Sequence, residues 1–407
     1  MNQIATKLMK TAFARSTDGA KAAEKCIQDL GSIDPKMLLV FCGGKLDGQS
    51  VLNAFQNRYG CIPIVGGAAS GGIVHSQFGY SGLELAVLAI TDPEFVPAVF
   101  SEPDLRQGEY TVAKRLGKKV AANIERGDTV LLFFDSVASA SPPRLHHATP
   151  IVRGFYDGCG SIQPKLIGGG TLTDLNFSGG WVYDGSSVRH HALVALAWPP
   201  SVTVDTFVMH GCVPASSFLT ITRMEGAEVF ELDGRPALQV LEQQFGVSFT
   251  HGEESRALTL LATLGQKQGD PYAPYDENAY VNRLLLTCDP NSGSVTLFEP
   301  DFQEGARVQI MGRDASFMLD SVRTGVAAAN RVIERGDSLV SIYINCAGRA
   351  SVLSGSPEEE TAVLTQSLDA NIPLIGFYSG VEIAPFENAL PRALDWTGLL
   401  AILRYRA

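Results

Sequence analysis

Charge is scarce in this chain. Asp, Glu, Lys and Arg make up 18% of its 407 residues, against roughly 25% in ordinary soluble domains. Apolar residues still make up 45%, so intrinsic disorder is excluded. The charge present runs acidic, 32 basic residues against 43 acidic, for a formal net charge of −11. Such a chain offers no broad positive face. Neither nucleic acid nor a membrane surface is expected as a partner, and any anion site must be local. The seven cysteines (Cys26, Cys42, Cys61, Cys159, Cys212, Cys288, Cys346) contain no C-x-x-C pair, which argues against a disulfide framework or a cysteine-built zinc site. Long apolar runs are missing too: stretches such as 85–90 and 192–198 fall far below the ~18 residues of a membrane span. The first residues carry Lys7, Lys10 and Arg15 without an acid, as a transit peptide would. Residues 10–15, however, read as a strand, 16–19 as a turn and 20–30 as a helix. A cytoplasmic, reduced location is the expectation.

Chemical signatures are also missing. There is no G-x-G-x-x-G, no Walker motif, no H-E-x-x-H and no G-x-S-x-G, so neither cofactor nor metal is expected and no hydrolase is announced. The adjacent pairs His146-His147 and His190-His191 make an awkward metal site, because neighbours in a strand point to opposite faces. The first pair reads as part of an exposed loop. The second opens a strand, one ring facing in and one out.

What the chain does have is internal likeness. Ile124-Glu125-Arg126-Gly127-Asp128 returns as Ile333-Glu334-Arg335-Gly336-Asp337. Each copy ends an alanine-rich helical stretch and leads into an apolar run, 129–134 or 338–344. Glycine caps the helix and the run behind it reads as a buried strand. Leu166-Ile167-Gly168 then matches Leu374-Ile375-Gly376, and Pro63-Ile64-Val65-Gly66 matches Pro373-Leu374-Ile375-Gly376. A small-residue loop and another apolar run follow each glycine. The expected fold is α/β: mixed β-sheets covered by helices, built from repeated strand–helix–strand–strand units in two halves. Residues 202–307 match none of this and read as short strands, a helix over 237–245, a hairpin loop at 289–293 and a rigid surface loop at 270–280. The paired prolines Pro199-Pro200 place the boundary between an expected domain 1–200, with two units, and an expected domain 201–407, with inserted strands and the third unit.

These residues resemble the FIST family. The N-terminal likeness rests on residues 38–44 and on Pro63-Ile64-Val65-Gly66-Gly67 with Ser70-Gly71-Gly72. The C-terminal likeness rests on Glu231-Leu232-Asp233-Gly234-Arg235-Pro236-Ala237, on Glu304-Gly305-Ala306-Arg307-Val308 with Met311, Arg313 and Asp314, and on Asn345-Cys346-Ala347-Gly348-Arg349. Glu359-Glu360, residues 373–382 and Pro385 close it. The resemblance implies a cytoplasmic sensory module that binds amino acids or similar small molecules and signals through a separate, unidentified protein.

The candidate ligand site is the last unit, where Asn345, Cys346, Arg349, Tyr378, Ser379 and Glu382 lie at expected strand ends, with Arg313 from the insertion. Strand ends in open α/β sheets are where ligands bind. Arg349 can hold a carboxylate bidentately and Glu382 an ammonium group, which suits an amino-acid zwitterion. Equally, the two can pair with each other and tie two loops together. Cys346 is an alternative nucleophile, though no histidine lies in its unit. A protein–protein scaffold without a small ligand is the other alternative. Glu358-Glu359-Glu360 reads as a solvated helix start, where acids favour the positive end of the helix dipole.

Overall fold

The computed structural model describes residues 8–246, 248, 262–386 and 389–406. The first sheet begins with β1 (Met9–Arg15), followed by α1 (Gly19–Leu30), β2 (Met37–Gly43), α2 (Gly48–Tyr59) and β3 (Ile64–Ala69). A short hairpin, β4 (Gly72–Val74) and β5 (Gln77–Gly79), leads to β6 (Glu84–Ile90). Local chemistry sets these boundaries. Asp18 and Asp47 accept from backbone N–H groups in the first turns of α1 and α2, and Gly31 and Gly60 close the two helices at positive φ, the conformation glycine reaches most readily.

The order then recurs. β7 (Ala98–Glu102), α3 (Glu109–Ala121) and β8 (Thr129–Asp135) lead through a hairpin, β9 (Val137–Ala140) and β10 (Pro143–Leu145), into α4 (Ala148–Cys159) and β11 (Lys165–Thr171). A second hairpin, β12 (Val182–Gly185) and β13 (Val188–Arg189), precedes β14 (Leu193–Ala197). The third sheet starts at β15 (Val202–Met209). An inserted region follows: β16 (Cys212–Pro214), β17 (Leu219–Glu225), β18 (Glu228–Leu232), β19 (Arg235–Pro236), α5 (Ala237–Phe245), β20 (Ala262–Lys267), β21 (Tyr280–Asp289), β22 (Ser294–Leu297) and β23 (Arg307–Arg313). After it come α6 (Ala315–Ile333), β24 (Ser338–Cys346), α7 (Ser351–Ser354), α8 (Glu360–Ser367), β25 (Leu374–Ser379), β26 (Val381–Phe386), β27 (Ala389–Leu394) and β28 (Gly398–Tyr405).

Three sheets share one strand order, β1-β6-β2-β3, β7-β14-β8-β11 and β15-β28-β24-β25. Each hairpin then adds to a different sheet: β4 pairs with β25, β12 with β3, and β26 with β11. The exchange is cyclic. Two of these pairings, β4–β25 and β26–β11, join residues on opposite sides of position 200. The inner faces of the sheets share one apolar core, at whose centre Phe41 stacks on Phe377 at 4.1 Å between ring centroids while Phe133 meets both edge-on. Helix pairs cover the outer faces, α1 with α2, α3 with α4, and α6 with α8. Sheets buried on both faces read as continuous apolar runs rather than alternating ones, which is why charge is scarce in the composition.

The recurrent Ile-Gly and Val-Gly pairs have a packing reason. A Cβ at Gly66, Gly168 or Gly376 would lie 2.2, 1.9 or 2.2 Å from the carbonyl oxygen of Val40, Leu132 or Tyr343 on the neighbouring parallel strand. Only glycine permits that approach. The glycine clusters at 66–67 and 168–170 are therefore strand interiors. In the inserted region β23 pairs with both β17 and β20, so the path β23-β17-β18-β22-β21-β20 returns to its start around its own apolar core with α5.

Candidate functional site

β24 and β25 run parallel, and their register sets Asn345 opposite Tyr378 and Cys346 opposite Ser379. The turn after β24 carries Arg349, and β26 carries Glu382. The structure thus brings the expected residues to one end of two strands, but as a closed cluster: Asn345, Cys346, Arg349, Tyr378, Ser379 and Glu382 are all buried. Arg313 is half-buried, its guanidinium carbon 4.1 Å from the Trp396 ring centroid, and burial lowers it to about 10.

Arg349 and Glu382 do not pair. The fork of Arg349 is taken by Glu360, Nε donating to Oε1 at 3.0 Å and Nη2 to Oε2, while Nη1 donates to the carbonyl oxygens of His210 and Trp396, each at 3.0 Å. The Tyr343 hydroxyl donates to Glu360 Oε1 at 2.9 Å. The expected solvated acids at 358–360 are corrected in the same stroke. Glu360 is fully buried, and Glu359 accepts from Ser351 N–H and the Tyr378 hydroxyl. Three adjacent acids carry no signal of which one turns inward; the arginine needing a desolvated partner is what selects it.

Glu382 accepts from Ser379 Oγ at 2.6 Å and from Thr397 N–H at 3.3 Å, and no cation contacts it directly among the described residues. Burial holds its carboxyl well above the usual range. Burial and then the neighbouring Glu382 also push the Cys346 thiol up. A thiol so shifted is a poor nucleophile. The Asn345 amide is buried with no hydrogen-bond partner for either atom among the described residues.

An open cavity of about 560 Å³ lies beside this cluster, between β15, α6, the loop before β21 and the end of β26. Phe207 and Phe386 supply apolar wall, Gln268 and Thr324 polar wall, and Asp276 and Glu277 two carboxylates. Among the described residues no Lys, Arg or His lines it. Glu277 is fixed: one oxygen accepts from the backbone N–H groups of His210 and Gly211, and Ser321 Oγ donates at 2.7 Å. Cys212 N–H donates to His210 Nδ1 at 2.9 Å, so that nitrogen carries no proton and His210 donates from Nε2 to the Glu277 carbonyl at 2.9 Å. The ring is neutral, and burial depresses its pKa further. Its 3.6 Å approach to the Glu277 carboxylate is accordingly no ion pair. One hydrogen-bonded path therefore runs from the cavity wall through Glu277, His210 and Arg349 to Glu360. Neither Glu277 nor His210 stood out in the sequence. The only cue was the Pro-rich stretch at 270–280, which read as a rigid surface loop.

The histidine expectations also need correcting. His146 is buried rather than on an exposed loop, and β14 begins at Leu193, leaving His190 and His191 in the preceding bend. Among the described residues no group of three or more His, Cys, Asp or Glu could hold a metal ion, and no helix is long and apolar enough to cross a membrane.

Two family models match: the FIST N domain over residues 36–235 and the FIST C domain over residues 237–385. Curated relatives include an uncharacterized protein of Mycobacterium bovis, 29% identical over 185 residues, and one of Mycobacterium tuberculosis, 28% identical over 201. These alignments cover 45% and 49% of this chain and 47% and 51% of the relatives, so the match spans about half the length of each. A solved cyanuric acid hydrolase from A. caulinodans aligns over 98% of this chain and 99% of its own at 10% identity, with a TM-score of 0.34, too low to carry any conclusion. FIST domains are sensory and signal-transduction modules, and the two matched domains together span most of this sequence: the chain belongs to the FIST family.

Proposed function

We propose that this protein is a small-molecule sensor whose ligand is an amine-bearing compound, an amino acid or a simple amine, bound in the cavity between β15 and α6. The observation carrying this reading is the lining among the described residues: two carboxylates, apolar and uncharged polar walls, and no basic side chain. An ammonium group finds acceptors there, whereas a lone carboxylate ligand meets only like charge. The expectation of small carboxylates narrows accordingly, and Arg349 moves from ligand contact to relay. A ligand drawing on Asp276 or Glu277 perturbs the fixed Glu277–His210–Arg349 path, a means of passing occupancy to the surface that a signalling partner would read. The buried, upward-shifted Cys346 gives the nucleophile alternative no support.

A thermal-shift panel of amino acids, simple amines and small carboxylates tests the reading. A ligand at about a hundred times its Kd stabilises by ~2.7 kcal/mol. Amines should raise the melting temperature and carboxylates without an amine should leave it unchanged. A rise confined to the carboxylates defeats the reading.

A further inference from the structure

A separate cavity of about 260 Å³ lies where the inserted region meets the β9–β10 hairpin, and it shares no lining residue with the cavity against α6. Leu145 reaches it from β10, Phe177 from the loop after β11, and Leu286, Leu297 and Phe298 from β21 and the end of β22. Two of these side chains owe their place to irregular backbone. β21 and β22 pair with a register shift between Leu285 and Thr287, so Leu286 is the extra residue of a bulge, a device that re-aims a side chain. Phe177 has φ 56°, a conformation that a bulky residue keeps only when its surroundings over-determine it. Asp174 does this. Its Oδ1 accepts from the N–H groups of Asn176 and Ser178 at 2.9 and 3.1 Å, and its carbonyl accepts from Phe177 N–H at 3.3 Å. The Phe177 ring is thereby set edge-on to Phe298, with 6.4 Å between centroids.

His147, the residue before α4, adds a ring nitrogen to this lining. Neighbouring side chains on extended backbone point apart, and the two histidines divide accordingly. His146 turns inward, with Nδ1 2.9 Å from Glu109 Oε1 and Nε2 3.2 Å from His191 Nδ1, while His147 lines the cavity. His147 Nδ1 donates to the Phe298 carbonyl at 3.2 Å. A carbonyl only accepts, so the neutral ring keeps its lone pair on Nε2. That nitrogen has no hydrogen-bond partner among the described residues. Glu299 locks the two walls together: its carboxylate oxygens accept from the N–H groups of Ala148 and Thr149 at 2.8 and 2.9 Å. No Asp or Glu lines the cavity among the described residues, and Arg144, exposed on β10, is the basic side chain at its edge. An ammonium ligand finds no carboxylate here.

What remains is a mostly apolar, partly aromatic space with one nitrogen acceptor. A dry apolar cavity of about 150 Å³ takes a benzene ring, so about 260 Å³ leaves room for a substituted ring or two fused rings. Phenylalanine edges and faces favour an aromatic neighbour. We propose that this cavity binds a small uncharged aromatic molecule bearing one N–H or O–H donor, an indole or a phenol, with the donor on Nε2 of His147 and the ring against Phe177 and Phe298. Such a ligand touches both the second unit and the insertion, and its binding is independent of the amine cavity.

Calorimetric titration of indole and of phenol into the full chain at pH 8, where an ordinary imidazole is neutral, tests this. The comparison compounds are 1-methylindole and anisole, which keep the ring and lose the donor. Indole or phenol should bind with saturable heat, and its methylated counterpart should bind about tenfold more weakly. His147→Phe keeps an aromatic wall and removes the acceptor, so there the two compounds of a pair should bind alike. Ala227→Trp, in the half-buried turn before β18, fills the cavity and should abolish binding with the melting temperature unchanged. Binding of indole alone assigns fused rings and binding of phenol alone a single ring; either supports the site. The proposal is overturned by no saturable binding of either compound, or by a methylated counterpart that binds as tightly as the compound with its donor. Discrimination that survives in His147→Phe, or full affinity in a folded Ala227→Trp, overturns it equally.

Discussion

The guanidinium of Arg349 grips the carboxylate of Glu360 at two points, with both side chains wholly withdrawn from water. Desolvating two charges is costly, and their attraction offsets that cost only while both are present. Removing one partner strands the other. Glu360→Ala should therefore lower the unfolding free energy by ~3–5 kcal/mol in urea titrations. The joint replacement Arg349→Met/Glu360→Leu should recover most of that loss. A Glu360→Ala variant within ~1 kcal/mol of the parent would show that the pair is hydrated in solution.

The aromatic cluster gives a second expectation. Phe41, Phe133 and Phe377 come from three different sheets and meet at the centre of the shared core. Phe377→Ala leaves a void that no single sheet can close, with an expected cost of ~3–5 kcal/mol. Denaturant unfolding followed by both tryptophan fluorescence and far-UV circular dichroism should lose midpoint together in the two signals. Separate transitions would mean that the sheets fold independently.

Buried Asp395 makes the fold pH-dependent. Burial raises its carboxyl to about 7, outweighing the lowering by Arg283, while Leu284 N–H donates to it at 3.0 Å. The unfolded chain releases that proton near pH 4, so this group's contribution to stability is present below about pH 4 and is lost as pH rises to about 7. Asp395→Asn keeps an acceptor for Leu284 and removes the titration. The variant should gain on the parent by up to ~4 kcal/mol between pH 4.5 and 7.5. A gap that stays constant across that window contradicts the assignment.

Thiol chemistry separates the cysteines. Cys61 is exposed whereas Cys346 is buried with its thiol pushed up. Brief iodoacetamide treatment of the native chain at pH 7.5, read by peptide mass spectrometry, should label Cys61 and leave Cys346 untouched. Rapid labelling of Cys346 would reopen its claim as a nucleophile.

Much of the fold was legible because strands buried on both faces are continuous apolar runs. Residues 129–134 and 338–344 became β8 and β24, and the helix at 237–245 kept its expected bounds. The glycines after Val65, Ile167 and Ile375 marked close strand contacts. The exchange of hairpins between sheets was not legible, because β4, β12 and β26 look locally like loops and gain their partners only from distant strands. The candidate site shows the same division. Asn345, Cys346, Ser379 and Glu382 were placed at strand ends by pattern, yet the partner of Arg349 depended on burial, which three identical neighbouring acids do not reveal. His146 and His191 meet only because the second unit folds back on itself.

The most direct test of the sensor reading is calorimetric titration of the amine that most raises the melting temperature into the parent chain and into Thr324→Trp. Thr324 lies on the exposed face of α6 and lines the cavity, so an indole there fills the cavity without entering the core. The parent should bind with saturable heat, and Thr324→Trp, with an unchanged melting temperature, should lose at least about tenfold in affinity. Equal affinity in a folded Thr324→Trp would place the ligand elsewhere and contradict the account.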